Sequence, residues 1–262
     1  MKIGFIGCGN MGGALAIAVS RAMGTRVYIS DKNEARLEEL HERYGFEISS
    51  NKAIAKGCDF VFLAVKPNMI AGVAKEIAGE LSSSAVVVSM AAGVSLDVLS
   101  ELLPSAKIIR IMPNTPVAYG EGVVLYCAKD ALDVFDRSHF EDIMQSVGLL
   151  DCIDERLIDA ASAVSGCGPA FVYSVIEALA DGAVACGLPR DRAMLYAASM
   201  VKGAADTVLQ SGKHPGLLKD EVCSPGGSTI EGVLTLEGGA FRGCVSEAVI
   251  ASYEKTKKLF SK

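Results

Sequence analysis

The 262-residue chain has no tryptophan, 6% aromatic residues and three histidines. His41, His139 and His214 are scattered, and no two of the eight cysteines form a C-x-x-C pair. A zinc or iron–sulfur site therefore has no spacing to rest on, and no metal is expected. Positive charge is not in excess: 25 basic residues stand against 31 acidic ones, a net charge of −6. That argues against a nucleic-acid partner, which draws on a basic face. No apolar run reaches the ~18–20 residues that span a bilayer. The start, Met1-Lys2-Ile3-Gly4-Phe5-Ile6-Gly7, has no signal-peptide layout. A disulfide framework is not expected in such a chain. The expectation is a cytoplasmic protein with reduced thiols and no membrane contact.

Half of the residues are apolar and 21% are charged, a balance that supports a real core. Twenty-seven glycines suggest tight turns and close helix packing. Apolar runs at 2–6, 26–30, 58–65, 85–89 and 107–112 read as buried strands. Helical spacing separates them at 10–21, 33–44, 52–56, 69–81 and 96–103. This alternation predicts an α/β fold with a Rossmann-type, doubly wound parallel sheet. The last plausible strands are 123–127 and 148–152, after which the periodicity is helical throughout: 157–164, 170–186, 190–210, 217–222, 229–236 and 240–261. The predicted division is 1–152 for the sheet domain and 153–262 for an all-α domain. The stretch Glu177-Ala178-Leu179-Ala180-Asp181-Gly182-Ala183-Val184-Ala185 is apolar on most faces. Such a helix is expected to be buried, against a second subunit if not within its own.

Gly7-Cys8-Gly9-Asn10-Met11-Gly12 matches G-x-G-x-x-G between the first strand and first helix. In that context the first glycine permits a tight turn and the second lets backbone approach a pyrophosphate. The third lets helix and strand pack closely. The helix N-terminus then receives the phosphate charge. Beyond the second strand come Ser30-Asp31-Lys32-Asn33. An acidic residue there favours NAD through a ribose 2′-hydroxyl, whereas a cation accepts the 2′-phosphate of NADP. Asp31 argues for the first and Ser30, Lys32 and Asn33 for the second; Asp31 as a cap of the next helix is a third option. Ala64-Val65-Lys66-Pro67 ends a buried strand, where ligands of such sheets bind. Lys66 is either a cofactor contact or a solvated residue ahead of a Pro-started helix. Asn114 and Thr115, in Met112-Pro113-Asn114-Thr115-Pro116, are candidates to orient a ligand.

Taken with Ser165-Gly166-Cys167-Gly168-Pro169-Ala170-Phe171 and Ser224-Pro225-Gly226-Gly227-Ser228-Thr229, these motifs resemble the pyrroline-5-carboxylate reductase family over nearly the whole chain. The Pro-Gly-Gly-Ser-Thr segment is far narrower than the glycine loop. The resemblance implies reduction of 1-pyrroline-5-carboxylate to L-proline with NADPH or NADH, leaning to NADPH. It also implies a homo-oligomer, an interlocked dimer with five dimers forming a decamer. By motif match, Gly7, Cys8, Gly9, Asn10, Met11, Gly12, Ser30, Asp31, Lys32 and Asn51 fall on the cofactor. So do Ala64, Val65, Lys66, Pro67, Met90, Ala91 and Ala92. Glu155, Gly227, Ser228 and Thr229 fall on the substrate, Thr229 as the catalytic group. The acidic Asp31 weakens a simple NADPH assignment.

Independently of the resemblance, 225–229 read as a loop opening a helix. Its N–H groups and hydroxyls suit a substrate carboxylate, or merely an N-cap. Glu155 reads either as a group near the ring nitrogen or as a first-turn helix glutamate. Two rivals are a β-hydroxyacid dehydrogenase and a non-catalytic dinucleotide-binding relative. Alcohol oxidation needs a general base, and the lysine that the dehydrogenases resembling this architecture carry is missing from 168–177.

Overall fold

A computed structural model describes residues 1–259 apart from Met23, Asp130 and Ala131. The far end of the expected last helix, to residue 261, lies outside the described residues. Eight strands form one sheet: β1 (Lys2–Ile6), β2 (Arg26–Ser30), β3 (Glu47–Ile48), β4 (Phe60–Leu63), β5 (Val86–Ser89), β6 (Lys107–Met112), β7 (Gly122–Ala128) and β8 (Gly148–Cys152). Their order is β3-β2-β1-β4-β5-β6-β7-β8. Pairing is parallel from β3 through β6, with Ile3 opposite Val27 on one side and Phe60 on the other. The chain order reverses on either side of β1, so β1 and β4 flank the switch point where such sheets bind ligands.

The sheet is not wholly parallel as expected. β7 runs antiparallel to β6, with Ile109 opposite Ala128, and β8 is parallel to β7. The connection from β6 to β7 is one short turn of 3₁₀ helix, Thr115–Tyr119. A parallel crossover needs a dozen residues or more, so the chain turns back instead.

Helices α1 (Asn10–Val19), α2 (Glu34–Tyr44), α3 (Asn51–Gly57), α4 (Ile70–Ile77), α5 (Leu96–Leu102), α6 (Val134–Met144) and α7 (Glu155–Ser165) cover the sheet. Strand residues alternate between two cores. Ile3, Phe5, Phe62 and Ile109 pack with Leu15 of α1 and Phe140 of α6. Ile6, Val61, Leu63 and Val87 pack with Ile54 of α3, Ile70 of α4 and Ile158 of α7. Phe5 and Phe62 stack at 4.5 Å between ring centroids. Both faces being covered explains why these strands read as unbroken apolar runs.

The remaining helices are α8 (Gly168–Ala185), α9 (Arg190–Ser211), α10 (Pro215–Glu221), α11 (Ser228–Gly238) and α12 (Phe241–Leu259). The chain forms two compact units, Met1–Gly166 with the C-terminal segment from Ser252, and Cys167–Ala251. The division falls at 166/167. The reason is α7, which buries Ile158 in the sheet core and carries Glu155 and Asp159 to Arg110 of β6. Within the second unit α8 and α9 meet through Ala180, Ala193 and Ala197. Alanines let two helix axes approach closely but enclose little apolar surface.

Candidate nucleotide-binding site

A cleft of about 650 Å³ opens at the carboxyl ends of β1, β2 and β4. Gly7 has φ +99°, and a Cβ there would lie 2.7 Å from the Ala64 carbonyl oxygen. A Cβ on Gly12 would lie 2.2 Å from the Gly7 carbonyl oxygen, so helix and strand touch through it. A Cβ on Gly9 would meet nothing within 4 Å. The three glycines therefore do three different things: turn, leave room for a ligand, and pack. Gly9 is the N-cap of α1, with no side chain capping it and no acidic residue in the first turn. The uncapped N–H groups and the helix dipole suit a pyrophosphate.

Of the expected cofactor residues, Gly7, Gly9, Ser30, Asp31, Lys32, Asn51, Ala64, Val65 and Lys66 line this cleft. The others do not. Cys8 is buried, and its thiol points to the Ser30 carbonyl. Burial, then the Asp31 carboxylate, push that thiol up to about 12. Met11 packs against the first core, and Met90 and Ala91 are buried in the first and second cores. Asn10, Gly12, Pro67 and Ala92 flank the lining without forming it. The sequence reading missed Met69, Gly72, Val73 and Glu76. Their spacing of three and four is one helical face following β4, a signal present in the sequence.

Asp31 is not the cap of α2: Asn33 is, accepting from the Arg36 amide at 3.2 Å. Asp31 instead accepts from the amides of Cys8 and Asn33, tying the end of β2 to the glycine loop. Asn51 donates through Nδ2 to Glu76 at 2.9 Å, while its Oδ1 is buried without a partner. An orphaned acceptor is a cost that a bound ligand removes. The open Gly9, the uncapped helix and this oxygen fit a dinucleotide.

Glu155 and Asn114, candidates for ligand contact, both hold structure here, Glu155 as a first-turn residue of α7, its alternative reading. Glu155 Oε1 accepts from the Leu96 amide at 2.8 Å and from Arg110 at 2.9 Å. Arg110 also reaches Asp159 at 3.0 Å and is 4% exposed. Asn114 donates to the Ser165 carbonyl at 2.8 Å and accepts from the Val123 amide at 2.9 Å. A buried amide with both ends satisfied splices loops together. Arg110 was not singled out in the sequence, because its partners lie 45 and 49 residues away. In the second unit, Ser228 and Thr229 begin α11 behind Gly226 (φ +69°) and the N-cap Gly227. Both are exposed, and no side chain caps that helix.

Comparison with known proteins also finds two parts in the chain. Residues 2–93 match the family model for NADP oxidoreductases, coenzyme F420-dependent, and residues 155–259 match that for pyrroline-5-carboxylate reductase dimerisation. The chain is 41% identical to pyrroline-5-carboxylate reductase of Escherichia coli over 98% of both chains. The chain belongs to the pyrroline-5-carboxylate reductase family. A member from Arabidopsis thaliana is 37% identical, over 98% of this chain and 95% of its own. The solved pyrroline carboxylate reductase of Plasmodium falciparum, with NADP bound, superposes with a TM-score of 0.89. It is 35% identical and the match covers 100% of this chain and 98% of that one. Family membership makes a nicotinamide dinucleotide the occupant expected of the cleft. It also gives the apolar stretch Glu155–Ala185, long enough by composition to cross a membrane, a different reading. That stretch is two helices, α7, whose Ile158 packs in the sheet core, and α8, and it falls inside the dimerisation match.

Proposed function

We propose that the chain reduces the C=N bond of 1-pyrroline-5-carboxylate to give L-proline. Whole-length identity to reductases of that name, together with the three-way division of labour among Gly7, Gly9 and Gly12, carries this reading. A reduced nicotinamide supplies the hydride when bound. The amides at the start of α1 receive the pyrophosphate, and Ala64, Val65 and Lys66 wall the cleft at the end of β4. Both reduced cofactors serve: the resemblance and the NADP-bound Plasmodium relative lean to NADPH, whereas Asp31 beyond β2 leans to NADH, and the residues at that end of the cleft set the order.

On the substrate side, Gly227 and Ser228 offer the start of α11 to the carboxylate. Thr229 is the catalytic group, its hydroxyl hydrogen-bonded to the ring nitrogen. A protonated imine carbon already accepts hydride, so no strong base is required. Holding the reactants together supplies about 7–11 kcal/mol of the barrier reduction. Glu155 acts at a distance as a positioning residue, fixing α7 on β6 and the start of α5. The helical unit joins two copies, and five such dimers form the decamer; the reaction is cytoplasmic.

The test follows NADH and NADPH absorbance with 1-pyrroline-5-carboxylate while proline is measured. Substrate-dependent oxidation with proline formed is expected, and Thr229→Val should lower kcat/KM about 10²-fold. A folded chain that binds nucleotide yet oxidises neither cofactor would leave the hydroxyacid-dehydrogenase or non-catalytic reading.

A further inference from the structure

The end of the cleft beside β2 carries a choice of nucleotide, an inference that rests on the reading above. Both oxygens of Asp31 are fixed, Oδ2 by the Cys8 amide and Oδ1 by the Asn33 amide at 2.9 Å. The carboxylate cannot swing aside, and it keeps lone pairs for a further donor. Asn51 is fixed in the same sense. Glu76 accepts only, so it holds the Asn51 nitrogen at 2.9 Å and leaves Oδ1 buried and unsatisfied. Asp31, Asn51 and Glu76 all line the cleft. What the pair asks for is a hydrogen-bond donor.

A ribose 2′-hydroxyl donates. A 2′-phosphate only accepts, and it would meet the Asp31 charge. The opposing cations are weakly placed. Lys32 is exposed, so its ammonium is mobile and screened. Arg36 is committed to the Cys8 carbonyl at 3.2 Å and to Glu39 at 2.6 Å. Lys66 stands at the end of β4, on the other side of β1 from β2. Ser30 can donate or accept and serves either form.

We propose that Asp31, together with Asn51 as oriented by Glu76, selects the unphosphorylated adenosine ribose, so that this chain binds NADH more tightly than NADPH. Glu76 is a positioning residue in this arrangement, because it acts through the Asn51 amide.

The experiment titrates the full chain with NADH and with NADPH in the absence of substrate, reading nicotinamide fluorescence. The wild type should show a Kd for NADH about tenfold below that for NADPH. Asp31→Asn removes the charge while keeping the shape and should bring the two constants to within about twofold. Glu76→Ala frees the Asn51 amide to turn its nitrogen into the cleft. It should narrow the ratio about threefold, raising NADPH affinity and lowering that for NADH. A merely structural role for Glu76 would weaken both nucleotides alike and leave the ratio unmoved. The inference is overturned if the wild type binds NADPH as tightly as NADH, or if both variants keep the wild-type ratio. Should the folded wild type bind neither nucleotide, the reductase reading falls first and this one with it.

Discussion

The two units of this chain bury their side chains to very different extents. In the sheet unit Phe5, Phe62 and Phe140 are completely enclosed, and two cores cover both faces. In the helical unit the buried residues are three alanines, while Tyr173, Met200 and Leu234 are more than half exposed. A unit that satisfies its own strands and packs its own aromatics stands alone. One that leaves its large apolar groups outside has its missing core in another chain. The match of residues 155–259 to a dimerisation family gives that arrangement its physical basis.

The largest expected effect probes the self-sufficient unit. Arg110 is 4% exposed, whereas the side chains of Glu155 and Asp159 are 30% and 33% exposed. Removing both carboxylates (Glu155→Leu with Asp159→Leu) strands a buried guanidinium and should cost about 3–5 kcal/mol in urea unfolding. Arg110→Met should cost less, about 1–2 kcal/mol, because the carboxylates it abandons regain water. The reverse order would mean that the ion cluster is not what seats α7. Neither loss should depend on protein concentration.

The helical unit should behave in the opposite way. Met200→Glu or Leu234→Glu places a charge on an exposed apolar face and costs nothing in the isolated chain. If those faces meet a second copy, either change buries an unpartnered charge and should shift assembly toward monomer by about tenfold or more in dissociation constant. Light scattering over a range of concentrations checks this. An unchanged mass for both variants would place the subunit contact elsewhere.

The contrast between units also decides what could be read from sequence. Strands β1, β2, β6 and β8 appear at their expected bounds because buried parallel strands leave unbroken apolar runs. β3 is two residues long and leaves no period. α6 was overlooked: only Phe140, Ile143 and Met144 are buried, at helical spacing but diluted by charge. The glycine loop was legible because each glycine answers a local backbone demand. The commitments of Glu155 and Asn114 were not, because their partners are distant in sequence and no local pattern announces them. Asp31 was legible as a residue just beyond β2 that lines the cleft, but not in its anchoring of the loop, which takes the fold to reveal.

The smallest expected effect sharpens the comparison through thiols. Burial, first among the causes, pushes Cys8, Cys58 and Cys127 of the sheet unit from the ordinary 9.0 up to about 12. Neighbouring carboxylates, Asp31, Asp59 and Glu155 respectively, add to it. The unfolded chain releases these protons from about pH 9, while the native chain keeps them to about pH 12. Between those values the native state binds more protons than the unfolded one, so stability must fall as pH rises. Below pH 9 the three thiols have no influence. The unfolding midpoint of the wild type should therefore decline more steeply from pH 9 to 11 than that of a Cys8→Ala, Cys58→Ala, Cys127→Ala variant. Cys152, exposed on the last strand, should meanwhile react with a thiol reagent at pH 8 well before these three. Cys186 and Cys244 are exposed in the isolated helical unit, so their reactivity becomes a second reading of the subunit contact. If that contact covers them, they should slow as concentration rises while Cys152 does not.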